Sequence, residues 1–235
     1  MSEAENMLRV ADAGWYALHL FYRIEHGQWA LLTSDEQRAA KTAFTELVAE
    51  VRKTPGVQLL IFSMVTPKAD MGFLLLAEDL HTGHAVEKKL SLSLGTDILS
   101  PVYSCLSVLE RGGGVEGGME WELPGWEVFC FHPLATRRVP GQNWYGLASE
   151  ERLRLMQGCW EVAGRYEGRV FPLVTVAVGL DDAEGVLSLF AHELADVQAM
   201  VGELRAHPAA CYVEDGEFYI GLRLTLDEAF RRLQL

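Results

Sequence analysis

Apolar and polar residues follow a regular pattern in the first half of the chain. Trp15–Ile24 combines aromatic and aliphatic residues in the way typical of a strand. Further on, Phe44 and Val48 share one helical face, and Ser34 with Gln37 three residues later has the spacing of a capping box at the start of that helix. The remaining pattern predicts strands over Val57–Thr66 and Met71–Glu78, a helix over Ala85–Leu94 and a strand over Val102–Glu110.

The second half repeats this order of elements. Glu150–Tyr166 has helical periodicity with Ser149 in position to cap it. The other predicted elements are strands over Glu127–Pro133, Val170–Gly179, Val186–His192 and Cys211–Leu224, with a bend near Asp215-Gly216 in the last, and helices over Leu194–Arg205 and from Leu226. Each half therefore has the β-α-β-β-α-β order of a ferredoxin-like unit. We predict an α+β fold in which two ferredoxin-like halves form one barrel-like body.

A glycine-rich segment separates the two halves. Residues 111–124 contain five glycines and few apolar residues, a composition that favours neither helix nor strand. We predict an N-terminal half over residues 1–112, a linker over residues 113–124 and a C-terminal half over residues 125–235.

The composition excludes several classes of protein. With 33 acidic and 20 basic side chains, the net charge is −13, which opposes binding to nucleic acid and to anionic lipid. The longest apolar stretches, such as Val170–Leu180, are shorter than the ~20 residues that span a membrane. The N-terminus also lacks the pattern of a signal peptide. We therefore predict a cytoplasmic protein with no nucleic-acid partner and no membrane insertion.

The spacing of cysteines and histidines indicates no metal motif. The four cysteines lie too far apart for a CxxC site, at positions 105, 130, 159 and 211, and we predict that they are reduced thiols. His81 and His84 form a close pair without a third ligand nearby. We interpret residues 81–84 as a turn with solvated imidazoles rather than as a metal site.

Five ordered sequence blocks resemble a known family. They are HPLATRR at 132–138, NWYGL at 143–147, EERLRLM at 150–156, GRYEGRV at 164–170 and GLDDAEGVLSLFA at 179–191. In this order and spacing they are similar to the C-terminal half of the chlorite dismutase superfamily, and specifically to its coproheme decarboxylase branch. The resemblance implies the fold already predicted, a haem or coproheme cofactor and a homopentamer.

The reactive positions of that family carry other residues here. The proximal haem ligand, a histidine in the family, falls on Cys159, and the distal position falls on Pro172. The catalytic tyrosine falls on His132, and a lysine four residues later falls on Thr136. A cysteine binds iron only as a thiolate, and proline offers no hydrogen-bond donor. The four substitutions therefore argue against oxidative decarboxylation and against chlorite breakdown.

Other family positions are retained. Arg137 and Arg138 match the end of the first block, and Arg205 matches an arginine that binds a propionate, so the resemblance implies that these three residues bind a carboxylate-bearing cofactor together with Cys159. Arg137 and Arg138 are equally compatible with structural salt bridges.

For two of the substituted positions the sequence leaves alternatives open. Cys159 is either a buried inert thiol or a metal ligand to haem iron, and the inert thiol is favoured. His132 is either a hydrogen-bonded histidine or an iron ligand. We interpret the motif residues Asn143, Trp144, Tyr145, Asp181 and Asp182 as loop and capping residues.

Three functions remain compatible with these residues. In the first, the chain is a divergent family member that keeps the cavity and binds a porphyrin or another anionic ligand, with catalysis lost or changed. Alternatively, it is a haem-free structural or partner-binding ring subunit. The third possibility is a haem-dependent oxidoreductase in which Cys159 or no protein side chain binds the iron.

Overall fold

The computed structural model describes residues 14–95, 97–109 and 123–235. Within these ranges the strands are β1 (Trp15–Ile24), β2 (Val57–Met64), β3 (Met71–Ala77), β4 (Leu99–Leu109), β5 (Val128–Thr136), β6 (Arg138–Val139), β7 (Gln142–Asn143), β8 (Val170–Val176), β9 (Gly185–Ala191), β10 (Val213–Asp215) and β11 (Tyr219–Arg223). The helices are α1 (His26–Trp29), α2 (Ser34–Val51), α3 (Leu80–Leu92), α4 (Ser149–Gly164), α5 (Leu194–Ala206) and α6 (Leu226–Arg232). Short 3₁₀ turns cover Trp144–Gly146 and Pro208–Tyr212.

The long strands form one closed antiparallel barrel. Their order is β5-β11-β2-β3-β1-β4-β8-β9, and β9 pairs with β5, which closes the ring. Strand β10 continues the line of β11 along the same edge of β5. Four neighbouring strands come from each half of the chain, in the order of a ferredoxin-like unit. The predicted α+β fold is confirmed.

The bend between β10 and β11 depends on Gly216. Its N–H donates a hydrogen bond of 2.8 Å to the carbonyl oxygen of Pro133. A Cβ atom at this position would lie 2.9 Å from that oxygen. A glycine lets the two backbones approach this closely, so the predicted bend has a steric cause.

The barrel interior is aromatic and holds a small polar network. The fully buried rings include Phe21, Phe62, Phe129, Phe131 and Phe190. His19 Nε2 and Ser188 Oγ lie 2.8 Å apart, and a second hydrogen bond of 2.8 Å joins Ser107 to Thr175. Burial lowers the pKa of His19 to about 3, because a charged imidazole would lose its hydration there. A neutral His19 therefore links β1 of one half to β9 of the other.

Helices cover the outside of each half of the barrel. On the N-terminal half, α2 and α6 place Phe44 and Phe230 next to each other, with ring centroids 5.7 Å apart, and Phe44 also approaches Phe73 on β3. On the C-terminal half, α4 and α5 cover β5, β8 and β9, and their core contains Tyr166, Met200 and Leu189.

The start of α2 differs from the prediction by one residue. Thr33, and not Ser34, is the N-cap, and its side chain exchanges capping-box hydrogen bonds with Glu36. Gln37 instead donates from its side-chain amide to the carbonyl oxygen of Trp29 at the end of α1. The two overlapping Ser/Thr-x-x-Glu/Gln patterns are equivalent in sequence, and the contact with α1 separates them.

Two other local predictions were wrong. Helix α3 begins at Leu80, with Asp79 as its N-cap, so His81 and His84 lie in a helix and not in a turn. Both imidazoles are exposed, as expected. Ser149 is the first residue of α4 and does not cap it, because the N-cap is Ala148, which makes no side-chain hydrogen bond.

Some expectations concern residues that the structure does not describe. Only Leu123 and Pro124 of the linker predicted over residues 113–124 belong to the described ranges. The three-part division of the chain stays a prediction. In the described parts of the chain, no helix is both long and apolar enough to cross a membrane.

Candidate functional site

A cavity of about 440 Å³ lies between the outer sheet face of the C-terminal half and the helices that cover it. This volume is within the range of roughly 300–1,000 Å³ that is usual for small-molecule sites. The sheet contributes Pro172 and Val174 from β8 and Leu187 from β9, and α4 contributes Cys159 and Trp160. Most of the remaining lining residues are apolar, so the cavity offers a large hydrophobic surface to a ligand.

Small side chains keep this space open. Ala163 on α4, Gly185 on β9, and Ala209 and Ala210 in the second 3₁₀ turn all line the cavity. Trp160 lies at its edge with 40% of its surface exposed and does not fill it. The cavity therefore follows from residue size on both walls.

Cys159 projects from α4 into the cavity wall. The thiol is half-buried, and burial raises its pKa above the ordinary value. Its Sγ lies 3.5 Å from Nδ1 of His207, at the end of α5. The resting side chain is therefore a neutral thiol next to an imidazole.

His207 is the functional candidate that sequence reasoning missed. It is 48 positions from Cys159 in the chain, and no local motif includes it. Its ring lies against Gly158, where a Cβ atom would be 2.3 Å from Nε2. Gly158, which precedes Cys159, was the one sequence signal for this contact. Glycine is disfavoured in a helix interior, so its presence there indicates that another group packs against the helix at that point.

A second group on the wall joins His132, Asp215 and Arg205. His132 Nε2 lies 2.8 Å from Asp215 Oδ1, and Arg205 donates to Asp215 Oδ2 over 2.9 Å. Burial lowers the pKa of His132, and the carboxylate of Asp215 opposes that change only in part. The ring also stacks on Phe218, with centroids 3.9 Å apart. His132 is thus held by a hydrogen bond at Nε2 and by stacking on Phe218, while its buried Nδ1 has no hydrogen-bond partner among the described residues.

A third group centres on Glu184. Its carboxylate accepts hydrogen bonds from the Thr136 backbone N–H and hydroxyl, from the Arg138 guanidinium and from the Tyr145 hydroxyl. Burial alone would raise the pKa of Glu184, but these donors outweigh it and lower the pKa. The carboxylate is ionised and its partners are fixed to it.

The structure brings together five of the seven family positions identified in the sequence. Cys159, His132, Thr136, Pro172 and Arg205 all line the cavity.

Arg137 and Arg138 are not among the lining residues. Arg137 donates to Gln142, and Arg138 lies over the ring of Tyr145 while it pairs with Glu184. The observed contacts of both arginines are structural, and their participation in cofactor binding stays a prediction.

The motif residues Asn143 and Asp181 of the neighbouring loops accept hydrogen bonds from backbone N–H groups. Asn143 accepts a hydrogen bond from the Tyr145 N–H and caps the first 3₁₀ turn. Asp181 accepts from the Leu106 N–H. Among the described residues, no group of three or more His, Cys, Asp or Glu side chains is arranged to hold a metal ion.

Comparison with known proteins identifies relatives of the chain. The family described as chlorite dismutase matches residues 37–224. A coproheme decarboxylase from Oceanobacillus iheyensis is 29% identical over 240 residues, which cover 94% of this chain and 96% of that protein.

Solved structures of similar proteins are also found. A protein from Thermus thermophilus, described as a novel haem-binding protein, has a TM-score of 0.86 and 29% identity, and the match covers 95% of this chain and 96% of that chain. A chlorite dismutase mutant from Candidatus Nitrospira defluvii has a TM-score of 0.80 at 18% identity over the full length of both chains. The second likeness concerns the fold alone.

Proposed function

Because this chain belongs to the chlorite dismutase family, we propose that it uses the cavity to bind a flat, largely apolar tetrapyrrole and that the family's haem chemistry is lost or changed. The observation that carries this proposal is the open cavity of about 440 Å³ with Cys159 on its wall. Relatives named as a coproheme decarboxylase and a haem-binding protein support a ligand of the porphyrin class.

The residues of the cavity do not fit a haem that is held by a histidine in the family manner. Cys159 carries its proton and faces His207. His132 is the one histidine among the described lining residues, and its Nε2 is engaged by Asp215. Pro172 has no N–H or side-chain donor for an oxidant on the opposite face.

The charges around the cavity favour a ligand with an apolar body and few carboxylates. Glu184 and Asp215 are both on the wall, and the guanidinium groups nearest to them are already paired with them. A carboxylate on the ligand would have to compete with Asp215 for Arg205. We therefore expect protoporphyrin, with two propionates, to bind more tightly than coproporphyrin, with four.

We propose a homopentamer and a cytoplasmic location, as the resemblance and the sequence imply. Exposed apolar side chains support burial against another surface. They include Leu153, Met156, Val178 and Leu180, of which Met156 and Val178 line the cavity. Light scattering of the purified protein measures the mass. A monomeric mass would contradict the ring assembly without affecting the cavity proposal.

The experiment that tests the proposal is a titration with haemin, followed by absorption. We expect saturable binding with no spectrum of the histidine-ligated type. The matched variant Cys159→His restores an imidazole on the same helix face and should produce that spectrum, since the two residues have similar helix propensities. Absence of any binding by either protein, both folded by circular dichroism, would favour the haem-free ring subunit instead.

A further inference from the structure

Cys159 and His207 differ from the other described cysteines and histidines by forming a thiol–imidazole pair, in which Cys159 lines the cavity and His207, which does not, contacts its sulfur. Cys105 and Cys130 are buried in the protein core, where burial raises both pKa values to about 12. Cys211 is exposed. The other three cysteines therefore serve as references against which the reactivity of Cys159 can be compared.

The hydrogen bonds of His207 determine which ring nitrogen carries the proton. The Ala209 backbone N–H donates to Nδ1 over 3.3 Å. A backbone N–H can only donate, so Nδ1 is the acceptor, and the neutral ring carries its proton on Nε2. The Sγ of Cys159, 3.5 Å from the same nitrogen, can then only donate to Nδ1, where its hydrogen shares the single lone pair with the Ala209 N–H. The imidazole is thus oriented as a base toward the sulfur.

The position of His207 is held from two sides. The hydrogen bond from Ala209 fixes one edge of the ring, and Gly158 leaves space for the other edge against α4. Cys159 lies next to Gly158 on the same helix and faces the apolar cavity. A nucleophile within reach of an oriented base is the arrangement that covalent chemistry at a thiol requires.

We propose that Cys159 is a nucleophile with His207 as its base, and that the pair forms a thioether with an apolar ligand that carries an α,β-unsaturated carbonyl group. His207 Nδ1 takes the thiol proton as Sγ bonds to the β-carbon, and the proton then passes to the α-carbon. One S–C bond forms, the C=C double bond becomes single, and no oxidant or reductant is needed. The inference rests on the proposed function only in placing an apolar ligand in the same cavity.

Burial makes the base necessary. Because the pKa of the Cys159 thiol is raised by burial, little thiolate exists at rest, and an isolated thiol here would react more slowly than an exposed one. General-base assistance contributes about 100-fold or more to such reactions. Removing the base should therefore reduce the rate at which the buried Cys159 thiol is modified.

The test uses N-phenylmaleimide, an apolar unsaturated imide, with peptide mass spectrometry to follow each cysteine over time. In the wild type we expect Cys159 to be modified at least as fast as Cys211. In His207→Gln, which keeps a hydrogen-bond acceptor but no base, we expect modification of Cys159 to slow by about 100-fold, with Cys211 unchanged.

A second variant moves the base without removing it. Gly158→Ala keeps both reacting groups, but its Cβ cannot coexist with the present position of His207 Nε2, 2.3 Å away. We expect the same slowing, although alanine favours the helix. Gly164→Ala is the matched control, since nothing lies within 4 Å of a Cβ there. It should leave the rate at Cys159 unchanged.

Equal rates at Cys159 in the wild type, His207→Gln and Gly158→Ala, all folded by circular dichroism, would overturn the proposal. If Gly158→Ala does not fold, His207→Gln decides alone. The maleimide needs no porphyrin, so the two proposals fail separately. Retained modification without porphyrin binding refutes the proposed function, and porphyrin binding with unchanged rates refutes the nucleophile–base pair.

Discussion

The two halves of the barrel share one topology but differ in what lies between sheet and helices. In the N-terminal half, large side chains from both layers meet, with Phe44, Phe73 and Phe230 within ring-contact distance. In the C-terminal half, the same layers enclose a cavity of about 440 Å³. The filled half and the hollow half show that one topology can either pack its two layers tightly or leave a cavity between them.

The difference lies in a few positions. The hollow half has Ala163 and Gly185 on facing walls, whereas the filled half places Phe44 on its helix and Phe73 on its strand. A packed core stabilises a domain through each buried apolar group, and a cavity forgoes part of that stabilisation. A residue that faces the cavity should consequently matter less to stability than its counterpart in the filled half.

Matched leucine truncations test this asymmetry and should give the largest effect. Leu75→Ala on β3 removes a fully buried side chain and should lower the free energy of unfolding by roughly 3–5 kcal/mol. Leu187→Ala on β9 faces the existing cavity and should cost less than about 2 kcal/mol. Urea denaturation measures both. Equal losses would mean that the cavity is closed in solution.

The barrel interior, where the halves meet, should respond to acid. His19 has a pKa of about 3 in the fold against an ordinary 6.5, so below pH 6.5 the unfolded chain binds a proton that the native state does not. The free energy of unfolding should fall as the pH drops from 6.5 toward 3.

A double variant isolates this contribution. Replacing both partners, as His19→Leu with Ser188→Ala, should reduce the loss of stability between pH 7 and pH 4.5 by about 2–3 kcal/mol. The measurement is urea denaturation at the two pH values. An identical pH dependence in the variant and the wild type would show that His19 is protonated or solvated in the native state.

Filling the cavity of the hollow half should weaken ligand binding without unfolding the protein. Gly185 lies on the cavity wall, and a Cβ there would make only an ordinary contact of 3.6 Å with the Thr175 carbonyl oxygen. Gly185→Leu should weaken protoporphyrin binding by at least about ten-fold, or 1.4 kcal/mol. Quenching of tryptophan fluorescence measures the affinity. Unchanged affinity would place the ligand elsewhere.

The helix caps give the smallest expected difference between the halves. Thr33 caps α2 in the filled half, so Thr33→Ala should cost about 1 kcal/mol. Ala148 occupies the same position of α4 without a side-chain hydrogen bond, so Ala148→Asp should stabilise by about 0.5–1 kcal/mol. Thermal unfolding of the two variants should shift in opposite directions, and shifts of the same sign would contradict the assigned caps.

Local patterns predicted the elements well and the contacts between them poorly. The bounds of β1 agree with the prediction made from the aromatic and aliphatic composition of residues 15–24. The cap of α2 was misplaced by one residue, because a contact with α1 selected between two equivalent patterns.

For the candidate site, too, the sequence predicted individual residues but not the residues that contact them. Family spacing located Cys159 and His132 on the cavity wall, but their partners lie 48 and 83 positions away in the chain. His207 and Asp215 are positioned by the packing of α5 and the bend at Gly216, which no local periodicity encodes. The volume of the cavity likewise depends on how two layers meet, and not on either layer alone.

The proposed function requires that the family cavity is kept while its iron ligand is lost. Comparing the affinities of haemin and metal-free protoporphyrin for the wild-type protein tests this most directly. If no side chain binds the iron, the two ligands should bind with dissociation constants within a few-fold of each other. Haemin binding more than about ten-fold tighter, with a histidine-type spectrum, would mean at least 1.4 kcal/mol of iron ligation and would contradict the account.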